Sequence, residues 1–159
     1  MANTQSMCTS FLGELLSATH NFSSANPAQT ASTANTFKAA LYLASATINA
    51  STTAYTSTGE VTGTNYTAGG VTVTGATNPA STNSSTTAGV GYWTPSASIT
   101  YTTVTLTTAF DCVLIYNSTQ SNKAVSVHTF GSQTVTAGTF TLTMPANTTS
   151  TALLRLATT

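Results

Sequence analysis

Few side chains in this sequence have the chemistry to act as acid, base, thiol nucleophile or metal ligand. The histidines are His20 and His128, the carboxylates Glu14, Glu60 and Asp111, and the thiols Cys8 and Cys112. A serine, His128 and Asp111 allow a Ser-His-Asp arrangement by count. Acyl transfer needs more: an exposed nucleophile aligned on its base, which a G-x-S-x-G elbow supplies, and no such elbow occurs. Two distant histidines and two distant cysteines lack the close spacing of zinc ligands. Gly89-Val90-Gly91 is not completed to a dinucleotide fingerprint, and no P-loop is present. The expectation is a non-enzymatic chain with no catalytic residues, no cofactor and no metal. His128 falls within strand-like alternation and reads as a hydrogen-bonded structural or interface residue. Cys112 opens the apolar run CVLIY and reads as a small buried hydrophobe, not as half of a disulfide.

Two further features invite a functional reading. Glu60 is the sole charge between Lys38 and Asp111, in TSTGEVTGTNYTAGG. It reads either as an interface or ion-pair anchor, or as a solvated turn carboxylate holding backbone N–H groups. The second is favoured, because a surface ion pair contributes only about 0–1 kcal/mol. Tyr92 and Trp93 follow a loop. They read as a sugar-stacking platform or, more commonly for such aromatics, as core plugs.

The elements that must position these residues are mostly strands. In TVTAGTFTLTMP, residues 134–145, Phe140, Leu142 and Met144 alternate with Thr139, Thr141 and Thr143. Successive strand side chains face opposite ways, so one face is apolar and the other a row of hydroxyls. Threonine suits that outer face, since its β-branch favours strands. Gly138 permits a tight turn before the strand and Pro145 ends it. Similar patterns occur at 37–43, 71–74, 99–107, 111–116, 123–130 and 153–156, with a short strand near Glu60. The segment 76–91 reads as the most flexible. Frequent turns between about eight antiparallel strands predict an all-β sandwich, jelly-roll-like or Ig-like.

One helix is predicted. Phe11, Leu12, Leu15, Leu16 and Thr19 share a face across residues 10–20, with Thr9 or Ser10 as cap. Residues 23–36 form a polar linker. The chain therefore divides into 1–36, helix and linker, and 37–159, the sandwich. The helix is too short to stand alone. Its face of Phe11, Leu12, Leu15 and Leu16 reads as a docking arm for a neighbouring subunit, or as a plug on its own sandwich.

Composition narrows the function classes. Charged residues make up 4% of the chain, three basic and three acidic, against about 25% in ordinary domains. With 40% apolar residues and twelve Phe or Tyr, the chain is nonetheless a folding one. Three scattered cations make no nucleic-acid footprint. The longest apolar run, 39–44, is far too short to span a bilayer. MANTQSMCTSF has no basic n-region and no long apolar run, so no secretory signal is expected. Exposed sheet edges are ordinarily guarded by Lys, Pro or inward charges, and these strands have almost none. That favours a subunit of an assembly.

The phrases TFKAALYLASATINASTTAYTSTGEVTGTNYTAGG, FDCVLIYNSTQSNKAVSVHTFGSQTVTAGTFTLTMPAN and ALLRLA, with CTSFLGELLSATHNF at the start, resemble a family of small virion structural proteins of tailed bacteriophages. The resemblance covers most of the chain and leaves out 76–91. It implies a capsid decoration, or cement, role stabilising the head lattice, in a virion assembled in the host cytoplasm. The implied partners are the major capsid protein and copies of the chain itself, as a homo-oligomer, with no nucleic acid and no membrane. Phe11, Leu12, Leu15, Leu16 and Glu60 are the interface residues to examine. A tail adaptor or fibre module is the first alternative. A glycan-binding module built on Tyr92 and Trp93 is the second.

Overall fold

A computed structural model of the chain describes residues 2–23, 34–74, 77–82 and 89–158. Residues 24–33 of the expected linker and residues 76 and 83–88 of the expected flexible segment lie outside them. The described residues form strands in two antiparallel sheets with one short helix. This is the all-β, sandwich-like architecture that the alternation predicts.

The larger sheet contains β1 (Ser6–Met7), β2 (Phe37–Leu43), β3 (Val71–Thr72), β6 (Ile99–Asn117) and β7 (Lys123–Leu142), in the order β1-β7-β6-β2-β3. The smaller contains β4 (Ala80–Ser81), β5 (Val90–Trp93) and β8 (Leu154–Ala157), in the order β4-β5-β8. Helix α1 spans Thr9–Leu16.

The main departure from expectation is the length of β6 and β7. The stretches 99–107 and 111–116 are one strand, and so are 123–130 and 134–142. Gly138 does not make a turn: it lies within β7, opposite Val104. The alternation itself is as read, with Thr139, Thr141 and Thr143 exposed and Phe140, Leu142 and Met144 half-buried.

These two strands pair from Ile99↔Leu142 to Asn117↔Lys123, with register shifts on the way. The shifts bend the ribbon. Thr103 (φ 54°) and Ala137 (φ 46°) both adopt left-handed backbone where the strands face each other. Phe130 and Phe140 lie ten residues apart, about 33 Å along a straight strand. Their ring centroids are nevertheless 5.3 Å apart, and both rings pack on Phe110. The ribbon therefore folds back and closes around a fully buried phenylalanine. Bulges supply such bends by adding unpaired residues to a strand.

Helix α1 is shorter than predicted and is not capped by Thr9 or Ser10. Cys8 occupies the N-cap without a side-chain bond, and the Ser10 hydroxyl is buried and bonds nothing among the described residues. The helix ends where Ala18 turns left-handed (φ 56°). Ala18 N–H then donates to Leu15 O at 3.1 Å, and Thr19 N–H to Glu14 O at 2.9 Å. This double closure is a Schellman stop, usually built on glycine.

The core is continuous through both sheets. Its buried members include Phe37, Ala39, Leu41, Val113, Leu114, Ile115, Val125 and Val127, together with Phe11, Phe22 and Trp93. Phe22 stacks on Phe37 at 4.4 Å and meets Trp93 at 4.8 Å, so one aromatic cluster ties the N-terminal segment to both sheets.

Candidate functional site

Glu60 is neither a solvated turn carboxylate nor an exposed anchor. It is 7% exposed. Its Oε1 accepts from the Tyr66 hydroxyl at 2.8 Å and from the Gly69 N–H at 2.8 Å, and its Oε2 accepts from the Tyr55 hydroxyl at 2.7 Å. Backbone geometry makes this possible. Gly69 and Gly70 have φ of 86° and 70°, and a Cβ on Gly70 would sit 1.7 Å from the Ala39 carbonyl oxygen. Only glycine lets the loop lie that close to β2.

Five of the six tyrosines gather around this carboxylate. Tyr116 donates to Gly69 O, Tyr42 to Thr56 O and Tyr101 to Ala39 O. Burial foremost, then the hydrogen bond to Glu60, raises Tyr55 to about 12. Burial, then the negative charge of Glu60, raises Tyr116 to about 12. Tyr42, Tyr66 and Tyr101 are also raised, with burial the leading cause. The arrangement satisfies a buried anion with hydroxyls and one amide. It pins the 55–70 loop over the sheet.

A second polar cluster joins the N-terminal segment to the end of the ribbon. Lys123 Nζ donates to Glu14 Oε1 at 2.7 Å, and His20 Nε2 lies 2.7 Å from Glu14 Oε2. Asn117 Oδ1 accepts from the N–H groups of Thr119 and Gln120, which turns its Nδ2 toward His20 Nδ1 at 3.0 Å and Asn35 Oδ1 at 2.8 Å. Nδ1 is therefore the acceptor, and the ring proton on Nε2 points at Glu14. Burial pushes the Glu14 carboxyl up, but the hydrogen bonds from Lys123 and His20 outweigh it and hold it below its ordinary value.

Nothing in the sequence assigned these partners. Glu14 had only three cations to choose from, but the register that brings Lys123 to α1 is set by tertiary packing.

A third polar site, around the second histidine, is in β7. His128 Nε2 lies 2.9 Å from Ser126 Oγ, and burial lowers the imidazole to about 4. Asp111 does not approach it, but accepts from Asn3 Nδ2 at 2.6 Å. The Ser-His-Asp set that residue count allows is not assembled. No group of three or more His, Cys, Asp or Glu among the described residues could hold a metal ion. Cys8 and Cys112 are free and buried.

Trp93 is 3% exposed, and its indole N–H donates to Thr77 O at 2.8 Å. An indole enclosed by Phe22 and Phe37 offers no face to a sugar, which corrects the platform reading; Tyr92 alone is half-exposed there.

The four helix residues divide between two faces. Phe11 is 1% exposed and Leu15 is half-buried, whereas Leu12 and Leu16 are exposed. No helix among the described residues is long and apolar enough to cross a membrane.

Compared with known proteins, the chain matches no family model, no curated protein and no solved structure.

Proposed function

We propose that the chain is a non-enzymatic structural component of a tailed-phage virion, and specifically a decoration protein that stabilises the head lattice. The observation that carries this reading is the outer edge of β7. Strand β1 pairs with that edge at Ser126 and Val127, and Cys8, Thr53 and Ala54 cover it over residues 123–125, but from His128 to Leu142 no described strand pairs with it. Residues 124–142 contain no Lys, Arg, Asp, Glu or Pro. A free monomer with such an edge is a template for pairing. A subunit whose edge meets a shell is not.

The interior fate of the carboxylates supports the same reading. Glu14, Glu60 and Asp111 are all engaged inside the molecule, so the surface has little charge for salt to screen or protons to alter. The sequence resemblance to small phage virion proteins supports it independently.

Quantitative mass spectrometry on separated heads and tails tests the proposal. A copy number in the hundreds in heads is expected. Enrichment in tails selects the adaptor or fibre reading, and absence from particles removes both.

A further inference from the structure

The large apolar side chains that stand exposed among the described residues are Leu12 at 46%, Leu16 at 93% and Leu156 at 44%. They belong to two elements, α1 and β8, that flank one groove. Helix α1 supplies Phe11 and Leu15 to its wall, β8 supplies Leu154 and Leu156, and Met7 and Trp93 also line it. Its volume is about 150 Å³.

A second hollow of about 320 Å³ adjoins the first, since Met7 and Leu154 line both. This one is polar, with Gln5, Ser126, His128 and Arg155 around it. Arg155 is exposed and has no acidic partner among the described residues. The two hollows form one trough, apolar at the helix end and cationic at the other.

We infer that this trough docks a segment of a different virion protein, one that carries a bulky apolar side chain beside a carboxylate. The assignment rests on the virion reading above. Charge excludes a second copy as the occupant. An identical chain has three carboxylate side chains and none to offer: Glu14 is 14% exposed and bonded to Lys123 and His20, Glu60 is buried, and Asp111 is held by Asn3. Two troughs facing each other would bring arginine to arginine. A carboxylate from another protein gives Arg155 the partner its own fold withholds, and exposed leucines beside an apolar groove give the neighbouring side chain somewhere dry to sit.

Particles stripped of the protein and incubated with the purified full-length chain test this, with bound copies counted by quantitative mass spectrometry at low and high salt. The variants are Leu156→Glu, in the groove wall, Arg155→Gln and, as a control on an exposed residue outside both hollows, Ser51→Glu. Thermal unfolding of each variant establishes that it is folded, and Leu156 at 44% exposure lies at the rim of the core. Leu156→Glu is expected to weaken binding about ten- to a hundredfold, the equivalent of exposing one buried leucine. Arg155→Gln is expected to weaken it about twofold to fivefold at low salt and to remove most of its salt dependence. Ser51→Glu binds as wild type.

Wild-type affinity in both Leu156→Glu and Arg155→Gln overturns the docking assignment while leaving the virion reading in place. Loss with Leu156→Glu alone, and unaltered salt dependence in Arg155→Gln, overturns the acidic character of the partner. A wild-type chain that never binds the particles overturns the virion reading and the docking assignment with it.

Discussion

At the scale of single residues, Glu60 shows how this chain handles charge. A buried carboxylate is tolerated because three donors satisfy it, and removing it orphans them. Glu60→Ala is expected to destabilise the fold by about 3 kcal/mol or more, since each unsatisfied buried donor costs about 1–3 kcal/mol. Glu60→Gln keeps the shape and one acceptor, and loses less. The same cluster sets an alkaline limit. A tyrosine whose folded value is raised contributes stability that is complete below the ordinary value of 10.0, and loses it as pH rises through about 12 for Tyr55 and Tyr116. The melting temperature should hold up to about pH 10 and fall above it, in step with tyrosinate absorbance. The acid limit comes from the opposite shift. His128, lowered to about 4, contributes stability complete above 6.5 that is lost as pH falls toward 4. Glu14, held below 4.5, gives way lower still. His128→Asn should remove the upper part of the acid limb and leave the lower part.

At the scale of elements, helix α1 has two apolar faces with different fates. Phe11→Ala should cost about 3–5 kcal/mol, because it empties an aromatic site in the core. Leu16→Ala should cost less than about 0.5 kcal/mol, because the side chain touches little. Chemical denaturation of the two variants checks the contrast. Ala18, left-handed at the helix stop, is a position where glycine is the better residue. Ala18→Gly should raise stability by about 1 kcal/mol, or about 2–4 °C in Tm for a chain of this size.

The period-2 pattern made the strands legible in the sequence, down to which of Thr139 to Met144 face outward. The continuity of β6 and β7 was not legible. Gly131, Gly138 and the threonine-rich stretch between Val104 and Phe110 look like turns one residue at a time, and only pairing across the ribbon turns them into bulges. The helix stop was hidden because alanine stands where the sequence signal would be glycine. Glu60 was singled out for its isolation, but its burial depends on tyrosines from both sides of it along the chain. The Glu14, His20, Asn117 and Lys123 cluster gave no local signal, because its members meet only after the N-terminal segment crosses the ribbon.

At the scale of the whole molecule, scarcity of surface charge is the governing property. Glu14–Lys123 is the ion pair most open to solvent among the described residues, and a pair of that kind contributes about 0–1 kcal/mol. The Tm should therefore change by no more than about 3 °C between low and high salt. Scanning calorimetry across a salt series measures it. A larger fall would mean that charge holds the fold together after all. The N-terminal segment belongs to the same unit, since Cys8, Phe11, His20 and Phe22 are buried with the core. Deleting residues 1–23 should collapse the melting transition, whatever its effect on particle binding.

The folded-back ribbon also has a consequence in time. Asn117 and Lys123 lie across one tight turn, so pairing can begin there and zip outward with little chain to close. Strand β2 and the N-terminal segment arrive from far along the chain and must wait for a surface to join. The turn-proximal pairs, from Leu114↔Val127 to Asn117↔Lys123, are thus the expected nucleus. Truncations at Ile115 or Val125 should slow folding, whereas Phe11→Ala should leave folding almost unchanged and speed unfolding. Stopped-flow kinetics on these variants would separate the half of the molecule that starts the fold from the half that locks it.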